Sequence, residues 1–531
     1  MKSIWNLFLL PCYINYASQQ VTQKPNIIFI LADDLGWNDV GFHGLNQFPT
    51  PNIDALAYAG IILNEYYVAP LCSPTRSALM TARHPIHTGL YRYIDARMPY
   101  GLALDEKILP QYLKELNYTS QMVGKWHLGY FRETYTPTFR GFDQYYGYFT
   151  GQLDYWTYQH RQDTGYNGLD IRNGTKVDYD INGEYLTRHL SHKSVEVIEN
   201  HDTSTPLFLY IAHHATHATE TPNDALQAPQ ETIDELSYID DENRRTFAAM
   251  VTELDTSIGE IVAALQARGM LENSIIIFST DNGGAAAGYN FNAASNWPLR
   301  GNKNTIWQGG VRGTGCIWSP LVPANPRVST QAMHVQDWLP TLLGALGEAP
   351  NNPPYPLDGI NAWGALSDPE QNIRDEILHM IDPDRTTVDK NGLYWNDWYG
   401  PAGRNESYDV NLVQTSFVAR ALSSTSRPVP SNFEILRLRS EATLPQCPIL
   451  QNVTTCDPLS FEPCLFDLST DHCEQNNLAA SEPDILNQML EALQVYNATV
   501  VPSVAEPIDP RSNPIFWNNT WISWFDMTKP D

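Results

Sequence analysis

Three short runs of apolar residues set the pattern of the chain, at residues 26–31, 207–211 and 274–278. A run that is apolar at every position, and not only at every second one, is typical of a strand buried on both faces of a parallel sheet. Between the second and third runs, apolar residues recur three and four positions apart from residue 244 to 268 and predict an amphipathic helix that ends at Gly269. We therefore predict the α/β class, with a large mixed, mostly parallel sheet flanked by helices.

The pattern changes toward the end of the chain. A proline-rich segment at residues 349–356 predicts a loop near a domain boundary, and beyond about residue 400 turn residues, cysteines and glycosylation sequons become frequent. We predict a main domain at residues 23–400 and a smaller C-terminal α+β domain at residues 401–531, with a small antiparallel sheet and disulfide bonds.

Four cysteines crowd this C-terminal region and predict two disulfide bonds. Their close spacing favours Cys447 with Cys456 and Cys464 with Cys473, although four cysteines permit three connectivities. A zinc site is the weaker alternative because the region has no CxxC pair. Cys316 lies in an apolar run and is predicted to be a small buried hydrophobic residue.

Composition and charge restrict the partners of the protein. The 531 residues include 60 Asp and Glu against 33 Lys and Arg, which gives a formal net charge of −27, and 42% of them are hydrophobic. A chain of this length can bury a large core, so disorder of the whole chain is excluded. The negative charge argues against nucleic acid and anionic membranes as partners, because both bind basic surfaces. An anionic substrate would need a locally basic pocket.

Residues 1–18 have the pattern of a secretory signal, in which Lys2 precedes an apolar stretch and the small residues Ala17 and Ser18 follow it. No later stretch reaches the roughly 18 consecutive apolar residues of a spanning helix, so we expect no membrane span and a protein of the secretory pathway, lysosomal or extracellular. Glycosylation sequons agree with that route. They begin at Asn117, Asn173, Asn405, Asn452, Asn497 and Asn518.

Polar residues follow two of the predicted strands directly. The first strand ends in Asp33 and Asp34, and the third is followed by Asp281 and Asn282. Open α/β sheets bind ligands at the carboxyl ends of their strands, and these oxygen donors suit a hard divalent cation, Ca²⁺ or Mg²⁺, better than zinc. The alternative is that each pair forms only a turn or a helix cap.

The segment from Cys72 to Arg83 predicts a helix, with Ser73 as its N-cap and Pro74 at the first helical position. Cys72 would then lie at a helix N-terminus, where backbone N–H groups and Arg76 favour an anion and would lower the pKa of a thiol. This arrangement suits a nucleophile, or simply a capped helix beside a buried cysteine.

Further cations follow other predicted strands. Lys125 and His127 lie two residues apart at the end of a strand predicted at residues 118–129, so both could contact one anion. His217 comes after the second apolar run, with His214 as its alternative, and Lys303 follows the third. Together with Arg76 they would supply the local basicity that an anionic ester requires.

Two segments resemble the signatures of a known family. Residues 72–76 resemble the Cys-x-Pro-x-Arg signature of the type I sulfatases, and residues 124–128 resemble their second signature. The resemblance extends from about residue 25 to about residue 480 and implies an alkaline phosphatase-like sulfatase fold. Within the family, residues 296–301, 307–313 and 465–468 are most similar to arylsulfatase B, the N-acetylgalactosamine-4-sulfatase, and its close relatives.

The resemblance implies a calcium-dependent sulfuric ester hydrolase. Cys72 would be oxidised to formylglycine by the formylglycine-generating enzyme, and its hydrated aldehyde would be the nucleophile. The residues implied to hold one Ca²⁺ are Asp33, Asp34, Cys72, Asp281 and Asn282. The residues implied to be catalytic are Cys72, Arg76, Lys125, His127, His217 and Lys303, of which Lys125, His217 and Lys303 would also bind the sulfate. His217 or Lys303 would protonate the leaving alcohol, and His127 would help to expel sulfate. The substrate would be a sulfated glycan or aryl sulfate, with 4-sulfated N-acetylgalactosamine in chondroitin or dermatan sulfate preferred.

Two departures from the family pattern concern Ala82, where the signature has glycine, and residues 416–422, which match the family strand there poorly. We expect Ala82 to have little effect, since alanine suits a helix better than glycine. Other interpretations are a general arylsulfatase of other sulfated glycans, a catalytically silent relative that binds sulfated glycans, and a calcium-stabilised secreted binding protein. A phosphatase or phosphodiesterase would use Ser or Thr with zinc, which the Cys-x-Pro-x-Arg segment disfavours.

Overall fold

The computed structural model describes residues 24–162, 165–322, 326–382, 396–400, 407–447, 454–457, 460 and 462–527. The predicted signal at residues 1–18 and the sequons at Asn405 and Asn452 lie outside the described residues. No helix in the described ranges is both long and apolar enough to cross a membrane.

The strands are β1 (Asn26–Ala32), β2 (Ile61–Leu63), β3 (Tyr66–Tyr67), β4 (Thr119–Lys125), β5 (Gln144–Tyr148), β6 (Gln159–Gln162), β7 (Tyr166–Leu169), β8 (Arg172–Asn173), β9 (Lys176–Val177), β10 (Leu207–Ala212), β11 (Ser274–Thr280), β12 (Gly315–Trp318), β13 (Arg327–Ser329) and β14 (Met333–His334). The α-helices are α1 (Pro51–Ala59), α2 (Cys72–Thr81), α3 (Pro85–Thr88), α4 (Leu109–Glu115), α5 (Leu186–Asn200), α6 (Gln230–Glu235), α7 (Glu242–Ala267), α8 (Gln308–Val311), α9 (Trp338–Ala345), α10 (Trp363–Ser367), α11 (Val410–Gln414), α12 (Phe417–Leu422), α13 (Asn432–Ala442) and α14 (Pro483–Asn497).

One sheet of ten strands organises the fold, in the order β13-β2-β12-β11-β1-β10-β4-β5-β8-β9. Its centre, from β11 to β5, is parallel, and β12, β8 and β9 each run antiparallel to a neighbour. The three apolar runs form β1, β10 and β11, which are buried along their whole length. The prediction of a mixed, mostly parallel sheet is confirmed.

Helices cover both faces of the sheet, and the central strands contribute alternate residues to two cores. Ile28 and Ile30 pack into one core with α1, α5 and α7, whereas Ile27 and Phe29 pack into the other with α2, α4 and α9. This double burial explains why the strand lacks an apolar–polar alternation. The long helix predicted at residues 244–268 is α7, which begins after Asp241, whose side chain caps the helix.

The C-terminal region packs onto the same cores. Helices α11 to α13 contribute Val413, Val418, Leu422 and Leu438 to the first core, and Trp521 and Trp524 belong to the second. The described residues from 407 to 527 contain helices and turns but no strand, so the predicted small antiparallel sheet is not found there. Residues 417–422, the poor match to the family strand, form α12. The domain boundary near residue 400 stays a prediction.

The predicted disulfide pairing is wrong. Cys447 is bonded to Cys473 and Cys456 to Cys464, so the shorter loop lies inside the longer one. The reason is that the chain doubles back here: the N–H of Asn477 donates to the carbonyl of Thr454 at 2.7 Å. Sequence spacing alone cannot indicate this path. Cys316 is a buried free cysteine in β12, as predicted.

Candidate active site

The acidic residues after β1 and β11 come together because the two strands are parallel and in register. Ala32 pairs with Thr280, so Asp33 and Asp34 leave the sheet beside Asp281 and Asn282. All four side chains are fully buried. The predicted assembly of these residues at the carboxyl edge of the sheet is therefore present in the structure.

Helix α2 brings Cys72 to the same place. Oxygen atoms of Asp33 and Asp281 and the sulfur of Cys72 all lie within 4.8 Å of one another. The helix starts at Cys72 with Leu71 as N-cap, so the prediction of Ser73 as N-cap is wrong. Ser73 instead donates its hydroxyl to the carbonyl of His127 at 2.9 Å, which ties the start of α2 to the segment after β4.

Burial also overturns the expected acidity of the thiol. The side chain of Cys72 is only 3% exposed. Desolvation raises the pKa of the Cys72 thiol, and the nearby Lys125 and Lys303 ammonium groups offset this only in part. The helix N-terminus therefore does not create a thiolate, and an unmodified Cys72 is a poor nucleophile here.

Three cations balance three carboxylates at the base of the site. Arg76 donates to Asp281 at 2.8 Å, and Lys303 donates to Asp34 at 2.7 Å. Lys125 donates to Asp33, and all these charged groups are nearly or fully buried. Burial and the Asp33 carboxylate raise the pKa of Asp281 to about 6, even though Arg76 opposes the shift. Such a set is stable only when its charges stay paired.

Two oxygen atoms of the cluster remain unpaired. Oδ1 of Asp33 and Oδ1 of Asn282 are buried without a hydrogen-bond partner. Unsatisfied buried oxygens are costly and rare, and carboxylate and amide oxygens are the donors that Ca²⁺ prefers. The residues present thus fit a hard divalent cation.

The two histidines offer different nitrogen atoms to the site. Nε2 of His127 lies 3.0 Å from the carbonyl oxygen of Ile94 and must carry a proton, whereas Nδ1 is buried without a partner. Nδ1 of His217 faces the Ala218 carbonyl, so its Nε2 is an acceptor, 3.1 Å from Nζ of Lys303. Burial, followed by the nearby lysines, lowers the pKa of both rings well below the usual value.

These groups surround one opening in the surface. Cys72, His127, His217 and Lys303 line its inner end. His127 follows β4, the strand that ends at Lys125. Its backbone is in the left-handed region, with a φ of 56°, and its ring lines the opening. His214 bonds to Leu153 and is not part of the lining, so the geometry favours His217.

Sequence comparison identifies the family of this chain. The family model described as "Sulfatase" matches residues 25–348. The chain belongs to the sulfatase family. Arylsulfatase J of Mus musculus is 37% identical over 516 residues, which cover 95% of this chain and 81% of that protein. Arylsulfatase A of Homo sapiens is 29% identical over 512 residues, which cover 91% of this chain and 89% of that protein.

Other relatives extend the comparison. N-acetylgalactosamine-6-sulfatase of Homo sapiens is 31% identical over 360 residues, 65% of this chain and 66% of that protein. The crystal structure of Ps i-CgsB in complex with k-i-k-neocarrahexaose is similar to this structure, with a TM-score of 0.58 and a sequence identity of 32%. The similarity covers 65% of this chain and 76% of that chain. The prediction of a sulfuric ester hydrolase is confirmed. The resemblance to the sulfatase family is likewise confirmed, whereas these relatives do not confirm a 4-sulfate specificity.

Two asparagines that sequence reasoning missed position the sulfatase site. Nδ2 of Asn292 donates to the backbone carbonyls of Asp34 and Thr216, at 3.0 Å each. Asn296 exchanges two hydrogen bonds with the backbone of Gly284, whose carbonyl also accepts from the N–H of Lys303. Asn296 lies in a segment that the family resemblance marked, but its role depends on a loop conformation that no spacing rule predicts.

Ala82 occupies a position different from the expected one. It is the C-cap of α2, with a φ of 57° in the left-handed region. This conformation costs an alanine about 1–2 kcal/mol and a glycine almost nothing, which accounts for the glycine in the sulfatase signature. The helix preference of alanine therefore does not apply to Ala82, because this residue lies outside the helix. The size of the effect stays a prediction.

Proposed function

We propose that this sulfatase hydrolyses sulfate esters with a formylglycine made from Cys72 and with one bound Ca²⁺. The observation that carries the proposal is the position of Cys72, within 4.8 Å of the Asp33 and Asp281 carboxylates, at the base of an opening that Lys303 also lines. A buried thiol with a raised pKa is a poor nucleophile, which favours its conversion by a formylglycine-generating enzyme before the fold closes.

Residue 72, Asp33, Asp34, Asp281 and Asn282 would hold the Ca²⁺. The ion would polarise a sulfate oxygen, and the formylglycine hydrate would supply one hydroxyl for attack on sulfur and a second one that allows sulfate to be expelled. Arg76 and Lys125 fix the carboxylates around residue 72 and add positive charge where the sulfate gains negative charge.

The remaining residues bind the sulfate and move protons. Lys303 lies between Asp34 and His217 at the inner end of the opening, where its ammonium group suits a sulfate oxygen. Because Nε2 of His217 accepts from Lys303, the shared proton of this pair is the one available to the leaving alcohol. Nδ1 of His127 has a free lone pair, so it can accept the proton of the second hydroxyl when sulfate leaves.

We infer 4-sulfated N-acetylgalactosamine in chondroitin or dermatan sulfate as the substrate, with other sulfated glycans or aryl sulfates as the alternative. The support is the resemblance of residues 296–301 and 307–313 to the 4-sulfatase. Trp307 is not expected to pack against a sugar ring, since it is only 9% exposed and its ring centroid lies 3.7 Å from the Arg300 guanidinium. Relative rates on matched 4-sulfated and 6-sulfated disaccharides test the position.

We also propose that the protein enters the secretory pathway and reaches the lysosome or the extracellular space. Its support is the two disulfide bonds and the exposure of every sequon asparagine in the described ranges. Those asparagines are Asn117, Asn173, Asn497 and Asn518. Peptide mapping before and after removal of N-glycans tests this part.

The decisive experiment compares the two buried free cysteines. Protein made together with a formylglycine-generating enzyme should contain an aldehyde at residue 72 that reacts with a hydrazide and is visible by peptide mass analysis. Cys72→Ala should abolish hydrolysis of nitrocatechol sulfate, whereas Cys316→Ala, a matched change in β12, should keep it. Full activity with only unmodified cysteine at residue 72 would overturn the proposed chemistry.

A further inference from the structure

A loop between β11 and α8, residues 285–292, reaches the opening of the active site with its tip. Its base is closed by a backbone hydrogen bond, in which the N–H of Asn292 donates to the carbonyl of Ala285 at 3.0 Å. At the tip, the ring of Tyr289 stacks on that of Tyr93, with centroids 6.0 Å apart and an angle of 20° between the planes. The loop is therefore held both at its base and at its tip.

The next residue of the tip, Asn290, lines the opening and brings an amide group to His217. Nδ2 of Asn290 donates to Nε2 of His217 at 3.1 Å. Nζ of Lys303 lies at the same distance, 3.1 Å, from the same Nε2. Because Nδ1 of His217 carries the proton that faces the Ala218 carbonyl, Nε2 has a single lone pair and cannot fully satisfy both donors. One N–H group of these two side chains is therefore available to an acceptor that enters the opening.

A sulfate oxygen is the acceptor that suits this position. Lys303 contributes positive charge there, but it also donates to Asp34 at 2.7 Å, so part of its charge is already balanced. The amide of Asn290 is neutral and adds a hydrogen bond without adding charge to a set of buried ion pairs. A hydrogen bond to an ionised acceptor is about twice as strong as one between neutral groups. An N–H group that passes from the His217 ring to a sulfate oxygen therefore favours the bound state.

The backbone offers a second reason for an asparagine at residue 290. Asn290 has a φ of 60°, in the left-handed region that asparagine and glycine adopt more readily than other residues. Asn223, exposed in a turn, has the same conformation with a φ of 62° and is not part of the lining. The left-handed backbone accounts for the residue type at both positions but not for the contact with His217. Glycine at residue 290 would keep this backbone and remove only the side chain.

We propose that Asn290 is a sulfate-binding residue, whose Nδ2 donates a hydrogen bond to an oxygen of the sulfate group when that oxygen replaces Nε2 of His217 as its acceptor. The inference rests on the proposed function and adds to it a binding residue from the loop at residues 285–292. Every sulfate ester and the product share the sulfate group. The contact therefore strengthens the binding of substrate and of inorganic sulfate alike, whatever the leaving alcohol.

The test measures kcat and KM for nitrocatechol sulfate and the inhibition constant of inorganic sulfate. Asn290→Gly should raise KM and the inhibition constant by about tenfold each, as expected for the loss of one hydrogen bond to a charged acceptor. Its kcat should change little, because the contact is present in the ground state as well as in the transition state. Asn290→Asp keeps the backbone preference and the size of the side chain but replaces the N–H donor with a carboxylate, so both constants should rise further. The matched control is Asn223→Gly, which should change neither constant.

The outcomes separate this inference from the proposed function. Wild-type constants in Asn290→Gly would show that the residue serves only its backbone conformation and would overturn the inference. A lower kcat with unchanged inhibition by sulfate would also overturn it, since Asn290 would then act only through His217. A wild type that does not hydrolyse nitrocatechol sulfate would count against the proposed function itself. In that case calorimetry with inorganic sulfate still tests Asn290, because the wild type should bind sulfate about tenfold more tightly than Asn290→Gly.

Discussion

Three buried histidines near the ends of α2 and α3 make the stability of this sulfatase sensitive to acid. His84 and His334 lie with ring centroids 5.8 Å apart, and His379 packs nearby against Tyr67. Nδ1 of His84 accepts from the N–H of Ile86 at 3.3 Å, while Nε2 faces a backbone carbonyl. Protonation of Nδ1 would place a second hydrogen against that N–H, so this geometry holds the ring neutral.

The expected cost follows from the pKa shift. Burial lowers the pKa of His84 to about 4; Asp358 opposes the shift and His87 adds to it. The unfolded chain, with an ordinary pKa of about 6.5, binds more protons than the folded chain below that pH. Stability is therefore lost as pH falls from about 6.5 toward 4, and His84 alone accounts for about 2 kcal/mol at pH 5. His379, whose pKa is also lowered to about 4, adds a similar amount.

His84→Asn isolates the contribution of His84 to the loss of stability at low pH, because the asparagine oxygen can still cap α3 but does not titrate. Urea unfolding at pH 7.5 and pH 5 should show the difference in unfolding free energy between variant and wild type moving by about 2 kcal/mol in favour of the variant. Buried carboxyls with raised pKa values, such as Asp255 at about 7, act in the opposite sense but cancel in this difference. The control is His192→Asn, whose ring is 60% exposed. An equal difference at both pH values would refute the reasoning.

Three further changes test the site and the C-terminal region. Asp281→Ala should lose activity together with the proposed calcium, because a proposed carboxylate ligand and the partner of Arg76 disappear; metal analysis beside an activity assay checks this, and full activity without calcium would contradict it. His217→Ala should lower turnover on a sugar sulfate more than on nitrophenyl sulfate, since only the alkoxide needs a proton, with a loss of about 10²- to 10⁴-fold; equal losses would limit His217 to sulfate binding. Cys473→Ser should lower the free energy of unfolding by about 2–4 kcal/mol, and non-reducing peptide maps of the wild type should show Cys447 linked to Cys473.

The sequence was sufficient to predict those elements whose local residue pattern reflects their burial. Continuous apolar runs predicted β1, β10 and β11 because double burial removes the polar positions of a strand. The acidic residues that follow two of these strands predicted the shared edge. The cysteine pairing, the left-handed position of Ala82 and the helix start at Cys72 were missed, because each depends on backbone paths that separate segments impose on one another.

The remaining lining of the opening beside Cys72 could not be predicted from the sequence for a related reason. Tyr93, Gln152, Glu220 and Tyr289 come from four separate loops and carry no periodicity, and a single tyrosine or glutamate in a loop gives no signal of a binding site. The sheet order brings the segments after β5, β10 and β11, which carry Gln152, Glu220 and Tyr289, to one edge, and Tyr93 joins them from the segment after α3. Sequence order and sheet order differ here, so proximity could not be derived from spacing.

The sheet order also explains why a lysine balances Asp33. Strand β10 lies between β1 and β4, so Lys125 at the end of β4 is two strands, or about 9.6 Å, away from the strand that carries Asp33. His213 follows β10 in between, but its ring turns toward Ser257 of α7, at 3.1 Å, and leaves the path open. A side chain as short as histidine or serine at residue 125 could not cross this gap, whereas the four-carbon chain of lysine brings its ammonium group into contact with Asp33. The identity of residue 125 is thus a consequence of strand spacing as much as of the chemistry at residue 72.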